Sequence, residues 1–289
     1  MDELLPATTW AGHRLEWGQQ TYVMGIINVT PDSFAGDGIA GATMTLDEIA
    51  SSAVAQARRF VAEGAIMIDV GGESTRPNFA PIAVEEEVER VIPVIQALRS
   101  SLPGEILISI DTYKAEVARQ ALDAGACIIN DIWALRHDAA MAALVSEREV
   151  PLILMANMRG FQKREIVSDV TRFLAHSINM ALSAGIAWER IIIDPGIGFG
   201  TTPQENLTLL QRLGELRALG RPILLGASRK STIGFVLGGL PPEERVEGTA
   251  AAVALGIAQG ADIVRVHDVR EMMRVVKMSD AIVRGNFKV

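Results

Sequence analysis

Eight times along 289 residues a short apolar, β-rich run gives way to an amphipathic stretch, and this recurrence limits the architecture more than any other feature. The runs are "YVMGIIN" at 22 to 28, "IMIDVGG" at 66 to 72, "ILISIDT" at 106 to 112, "CIINDI" at 127 to 132, "PLILMAN" at 151 to 157, "RIIIDPG" at 190 to 196, "PILLGAS" at 222 to 228 and "DIVRVHD" at 262 to 268. Such runs fit strands buried on both faces of a parallel sheet. The intervening stretches read as helices: after the first run, Thr45 and Glu48 form a capping-box pattern and Gly64 offers a stop. Eight units in about 250 residues predict a closed α/β barrel, the (β/α)₈ TIM barrel, as a single domain over residues 22–289. Residues 1–21, with "HRLEWGQQ", predict a short N-terminal hairpin that closes the barrel bottom. A doubly wound open sheet is the weaker expectation, because no G-x-G-x-x-G follows the first run.

Composition narrows the partners. A net charge of -8 opposes nucleic acid as the main partner, since phosphate binding needs a basic face. No run of about 18 uncharged apolar residues suits a membrane span. A single Cys127 forms no internal disulfide, and the start "MDELLPATTW" lacks an apolar signal core; both suit the cytoplasm.

In a barrel of this kind the active site lies at the C-terminal strand ends, and each run here ends in polar or glycine-rich chemistry. Asp111, Asn130 and Asp194 each terminate an apolar run. A carboxylate there needs water, a cation or N–H donors, because unpaired burial costs several kcal/mol. Each could simply cap the helix that follows. Three at one mouth instead favour a ligand rich in N–H donors and acceptors, such as a guanidine-like heterocycle. In "ASRKS", Arg229 and Lys230 bring charge to a helix start, where cations oppose the helix dipole and so suggest an anionic or electron-rich partner. A Schiff-base role for Lys230 is the weaker reading, as nothing adjacent in sequence is arranged to hold it neutral. In "RVHD", Arg265 and His267 share one face of a strand and suit a phosphate or pyrophosphate clamp. His13, His137 and His176 fall in the N-terminal segment or in helices and carry no assigned role. No His/Cys/Asp spacing suggests zinc, so a metal would be Mg²⁺ arriving with phosphate. "GGESTRP" at 71 to 77 and residues 32 to 38 read as mobile lids.

Taken in order, "MGIINVTPDSF", "DVGGESTRP", "SIDTYK", "IIND", "DPGIGFG", "GASRKS" and "RVHDV" closely resemble the dihydropteroate synthases, pterin-binding barrel enzymes of folate biosynthesis, from about residue 22 to 285. The resemblance implies condensation of 4-aminobenzoate with 6-hydroxymethyl-7,8-dihydropterin diphosphate, with Mg²⁺, in a homodimer that is a sulfonamide target. It implies that Asp111, Asn130, Met155, Asp194, Gly198 and Lys230 hold the pterin, and that Asn28, Arg265 and His267 serve the pyrophosphate, Asn28 through the metal. It assigns Phe34, Thr75, Pro77 and Ser231 to the aminobenzoate pocket, and Asp32 and Arg76 to closing loops. The chain departs from the family pattern at Ala35, at Thr201 and at Ala156, where a polar side chain is lost beside the pterin pocket. Two rivals are a pterin-binding methyltransferase and a non-catalytic pterin-binding paralogue.

Overall fold

The computed structural model describes residues 5–30, 44–74 and 80–287. Two short antiparallel strands, β1 (Thr8–Trp10) and β2 (His13–Leu15), precede an eight-stranded parallel sheet. Its members are β3 (Tyr22–Asn28), β4 (Met67–Gly71), β5 (Leu107–Asp111), β6 (Ile128–Asp131), β7 (Leu152–Met155), β8 (Ile191–Asp194), β9 (Leu224–Leu225) and β10 (Ile263–Val266). The order runs from β8 back to β3 and then through β10 to β9, and an Ile193–Ile223 bridge joins the two ends. The barrel is therefore closed. All eight expected runs are strands; the first, Tyr22–Asn28, is a strand over its whole length and the other seven are trimmed at both ends.

Helices follow the strands because the amphipathic stretches bury one stripe each against the sheet. α1 (Leu46–Ala62) begins with the expected capping box: Thr45 accepts from the Glu48 backbone while Glu48 accepts from that of Thr45. It buries Ile49, Ala53, Ala57 and Phe60. α2 (Val84–Ser101) has three glutamates in its first turn, where the helix dipole favours them. Later helices are α3 (Ala115–Asp123), α4 (Ala140–Arg148), α5 (Ile166–Ser183), α6 (Pro203–Gln211), α7 (Ser231–Val236), α8 (Val246–Ala258) and α9 (Val269–Val283). His137 lies between β6 and α4 rather than in a helix; the turn before it is held by Asp131, whose carboxylate accepts from the backbone of Trp133 and Leu135. Among the described residues, no helix is long and apolar enough to cross a membrane.

The two-residue period of the strands layers the barrel interior. At one end Met24, Met67, Leu107, Ile128, Ile153, Ile192, Leu224 and Ile263 form a single apolar cluster with Trp10, Leu15 and Trp17 of the hairpin region. Trp17 is fully buried, and its indole N–H donates to Thr8 Oγ1 at 3.1 Å. One layer higher the inward positions turn polar: Asp69, Ser109, Asn130, Asp194 and Arg265. The dry end supports the polar one.

Candidate active site

The C-terminal mouth holds a cavity of about 490 Å³. Asn28, Asp111, Asn130, Met155, Asp194, Gly198, Lys230, Ser231, Arg265 and His267 all line it, so ten residues named from sequence converge on one place. Asp32, Phe34, Thr75, Arg76 and Pro77 lie outside the described residues, as does Ala35.

The centre of the cavity is a charge network. Arg265, extended from β10, donates from Nε to Asp69 Oδ2 at 2.6 Å and from an Nη to Asp111 Oδ2 at 2.8 Å. Asn130 Nδ2 donates to the same Asp69 oxygen at 3.1 Å. Asp69 is wholly buried and its other oxygen has no hydrogen-bond partner. Its role as a brace beneath Arg265 and Asn130 is not among the sequence expectations, which single out Asp111, Asn130 and Asp194. The arginine meant to clamp an anion is thus already held by two carboxylates, which fix its direction and offset much of its charge.

Burial governs the titration of the network. It pushes Asp111 up to about 7, against the attraction of Arg265, with Asp69 and Glu87 adding repulsion. Burial likewise raises Asp194 to about 6 against a hydrogen bond from the Gly196 backbone and the pull of Lys230 and Arg265. Lys230 is lowered to about 8, by burial first and then by Arg265, although Asp194 and Asp111 attract its ammonium. No sequence neighbour of Lys230 is among the causes of this lowering, in keeping with the sequence reading. Burial is the first cause, and the second, Arg265, arrives from another strand.

Asp194 does both things considered for it. Its Oδ1 accepts from Gly196 N at 2.7 Å, which caps the turn, while the residue also faces the cavity. Gly196 is required there, with φ of +72° and a would-be Cβ only 1.9 Å from the Ala156 carbonyl oxygen. The Ala156 side chain faces the core between barrel and helices and does not line the cavity, so that departure from the family pattern removes nothing from the pocket. Thr201 braces the next turn: its hydroxyl lies 2.6 Å from Asn206 Oδ1, and that oxygen accepts from Gly198 N at 2.9 Å.

On the anion side, His267 Nδ1 lies 3.0 Å from Ser228 Oγ, which also accepts from the His267 backbone. Ser228 so orients the imidazole. Arg229 pairs through two nitrogens with Asp268. Its charge ties the loop after β9 to the loop after β10, a structural use that the sequence did not separate from ligand binding. Ile132, Met155 and Phe199 give the cavity an apolar wall, backed by Tyr113 in the same cluster, with Lys230 Nζ 4.3 Å from the centre of the Phe199 ring. Phe199 and Arg159, stacked at 5.1 Å, also line the cavity and were not anticipated. The glycines flanking Phe199 are the signal that could have found it.

A site so built can grip a flat, N–H-rich ring between carboxylates and an apolar wall, and hold an anionic group at Arg265 and His267. A closed barrel with such a mouth defines a small-molecule enzyme of the pterin-binding class. The family model for pterin binding enzymes matches residues 24–267, and the chain belongs to that family. Within it the chain stands among the dihydropteroate synthases, which are transferases. It is 47% identical over 268 residues to the dihydropteroate synthase of Clostridium beijerinckii, covering 92% of this chain and 96% of that one. The crystal structure of the Xanthomonas albilineans enzyme with 4-aminobenzoic acid matches with a TM-score of 0.88 at 42% identity, over 96% of this chain and 98% of that one. The Clostridium difficile enzyme in the presence of pteroic acid matches with a TM-score of 0.86 at 46% identity, over 93% and 99%.

Proposed function

We propose that the chain condenses 4-aminobenzoate with 6-hydroxymethyl-7,8-dihydropterin diphosphate, releasing pyrophosphate and 7,8-dihydropteroate. The observation that carries this reading is the convergence of Asp111, Asn130, Asp194 and Lys230 on one cavity with Arg265 and His267, Arg265 being tied directly to Asp111. Asp111 and Asp194 accept N–H bonds from the pterin, Asn130 both donates and accepts, and Lys230 donates to a ring acceptor. Met155 and Gly198 flank the ring, and Ser231 adjoins the aminobenzoate. The assignments of Phe34, Thr75 and Pro77 to that pocket, and of Asp32 and Arg76 to loop closure, belong to the same proposal.

In the reaction the carbon–oxygen bond to the diphosphate breaks and its electron pair leaves with the oxygen. Arg265 and His267 stabilise that negative charge. The exocyclic methylene becomes cationic and shares its charge with the pterin ring, a state favoured by the ionised Asp111 and Asp194. The neutral arylamine nitrogen then attacks, the carbon–nitrogen bond forms, and a proton leaves. No general base is obligatory.

Mg²⁺ suits the residues present. Among the described residues, no group of three or more His, Cys, Asp or Glu could form a metal cage. Asn28 Oδ1 instead faces the space over Gly71, 3.9 Å from the point where a Cβ on that glycine would stand. One or two protein oxygens of this kind suffice for a hard cation carried by a diphosphate. When bound, it would neutralise charge on the leaving group.

A cytoplasmic homodimer is the corresponding proposal for the assembly. Leu207, Val236, Leu237 and Leu255 are exposed apolar residues around a second cavity of about 430 Å³ among α6, α7 and α8. Leu255→Glu is expected to sediment as a monomer; an unchanged mass would remove this face from the interface.

Pyrophosphate release by the purified protein, given the pterin diphosphate and Mg²⁺ with and without 4-aminobenzoate, tests the activity. Release that depends on 4-aminobenzoate, with dihydropteroate in equal amount, is the expected result. Tight pterin binding without release would favour the methyltransferase or the non-catalytic binder.

A further inference from the structure

The "TYK" that follows Asp111 and the Glu73 of "GGESTRP" have no part in the chemistry above, yet they meet in a buried polar cluster beside the cavity. Lys114 Nζ donates to Glu73 Oε2 at 2.7 Å, to Glu87 Oε2 at 2.6 Å and to the Ile82 carbonyl at 2.8 Å, which uses all three of its hydrogens. Tyr113 donates its hydroxyl to the other Glu73 oxygen, Oε1, at 2.7 Å, and the Ile82 backbone donates to Oε2 at 3.1 Å. The side chains of Lys114, Glu73 and Glu87 are 11%, 10% and 1% exposed. Tyr113 is itself wedged against His137, with ring centres 4.3 Å apart.

A lone Lys–Glu pair could be a stabilising accident, but this cluster is fully hydrogen-bonded and joins three separate elements: the turn after β4, the start of α2 and the turn after β5. Such clusters confer specificity of arrangement more readily than net stability. Burial lifts Glu87 above the usual carboxylate range in spite of Lys114. Burial alone would lower Lys114, but its bonds to Glu73 and Glu87 outweigh that and hold it protonated. What the cluster fixes is Glu73, and Glu73 with Ser74 lines the cavity wall.

We propose that Lys114 and Tyr113 are positioning residues that lock Glu73 and Ser74 in the cavity wall, and that, because Ser74 directly precedes Thr75, which the reading above assigns to the aminobenzoate pocket, this lock sets the wall against which 4-aminobenzoate is received. The inference rests on the activity proposed above. Asp111 is held by its strand and by Arg265, and Asn130 by its strand and by Asp69, so the pterin side does not depend on this lock.

The test is steady-state kinetics on the full chain, with pterin affinity measured separately by isothermal titration and folding checked by thermal melting. Wild-type turnover tests the activity by itself; the variants test the lock. Tyr113→Phe removes one hydrogen bond and no charge, and is expected to raise KM for 4-aminobenzoate at least threefold with pterin Kd within twofold. Lys114→Met should raise it at least tenfold, and Lys114→Arg should recover part of the loss. A purely structural cluster would lower the melting temperature and leave the KM for 4-aminobenzoate unchanged, which overturns the proposal. Equal weakening of pterin and 4-aminobenzoate binding overturns it too. Where Lys114→Met does not fold, Tyr113→Phe decides.

Discussion

Asp111→Asn is expected to make the protein more stable as it makes it inactive, and the gain should depend on pH. The Asp111 carboxyl rises from 3.8 to about 7 on folding, chiefly by burial, with Arg265 already counted against that rise. At roughly 1.36 kcal/mol per pH unit this corresponds to about 4 kcal/mol of linkage. The sign follows from proton binding. Between pH 3.8 and 7 the folded chain holds a proton that the unfolded chain has released, so wild-type stability falls as pH rises through this window. Below it, Asp111 is neutral in both states and the contribution is fully present; above it, the contribution is lost. Asn keeps the shape and never ionises, so its melting curve lacks this term. For a domain of this size 1 kcal/mol shifts the melting temperature by about 2 °C, so the gap between variant and wild type should widen by roughly 5–8 °C from pH 4.5 to 7.5. Calorimetric or dye-based melts in a series of buffers measure it. A gap that stays constant over that range would refute the assignment of a buried, reluctantly ionised carboxyl at Asp111. The activity loss should be on the order of 10²-fold or more, since an accepting carboxylate becomes a mixed donor and acceptor. Stability is given up to keep a charge ready for the ligand.

Two further outcomes test the anion side. Arg265→Ala removes the guanidinium shared by Asp69 and Asp111 and is expected to lower turnover by on the order of 10³-fold; near-normal turnover in a stopped or coupled pyrophosphate assay would sink its role. Asn28→Ala should raise the Mg²⁺ concentration for half-maximal rate by about 10- to 100-fold and leave metal-independent pterin binding intact, and a Mg²⁺ titration unaltered from wild type would separate Asn28 from the metal.

The fold was legible because its determinants are local. Eight apolar runs and their helices can be counted along the chain, and the capping box of Thr45 and Glu48 stands where its residues are adjacent. Strand ends were legible as sites for a similar reason: a polar residue terminating a buried run has few uses besides capping or binding, and Asp194 serves as both. What stayed hidden was pairing across the barrel. Nothing near Lys230 in sequence shows that burial and, after it, Arg265 will lower it, and nothing near Arg229 shows that Asp268 will claim it. The Ala156 departure was misjudged because a one-residue change of phase on a strand exchanges cavity for core: Met155 faces inward and Ala156 outward. Asp69 illustrates the limit best. Its position in the strand register beside Ser109 foretells an inward side chain, but its partners Arg265 and Asn130 come from strands on either side of it in the closed sheet. The strand order, with β5 and β3 between them, and the curvature of the sheet bring these three strands around one point. A carboxylate that looks superfluous on its own strand thereby becomes the brace for two ligand-facing residues, and its unsatisfied second oxygen records the desolvation this arrangement requires.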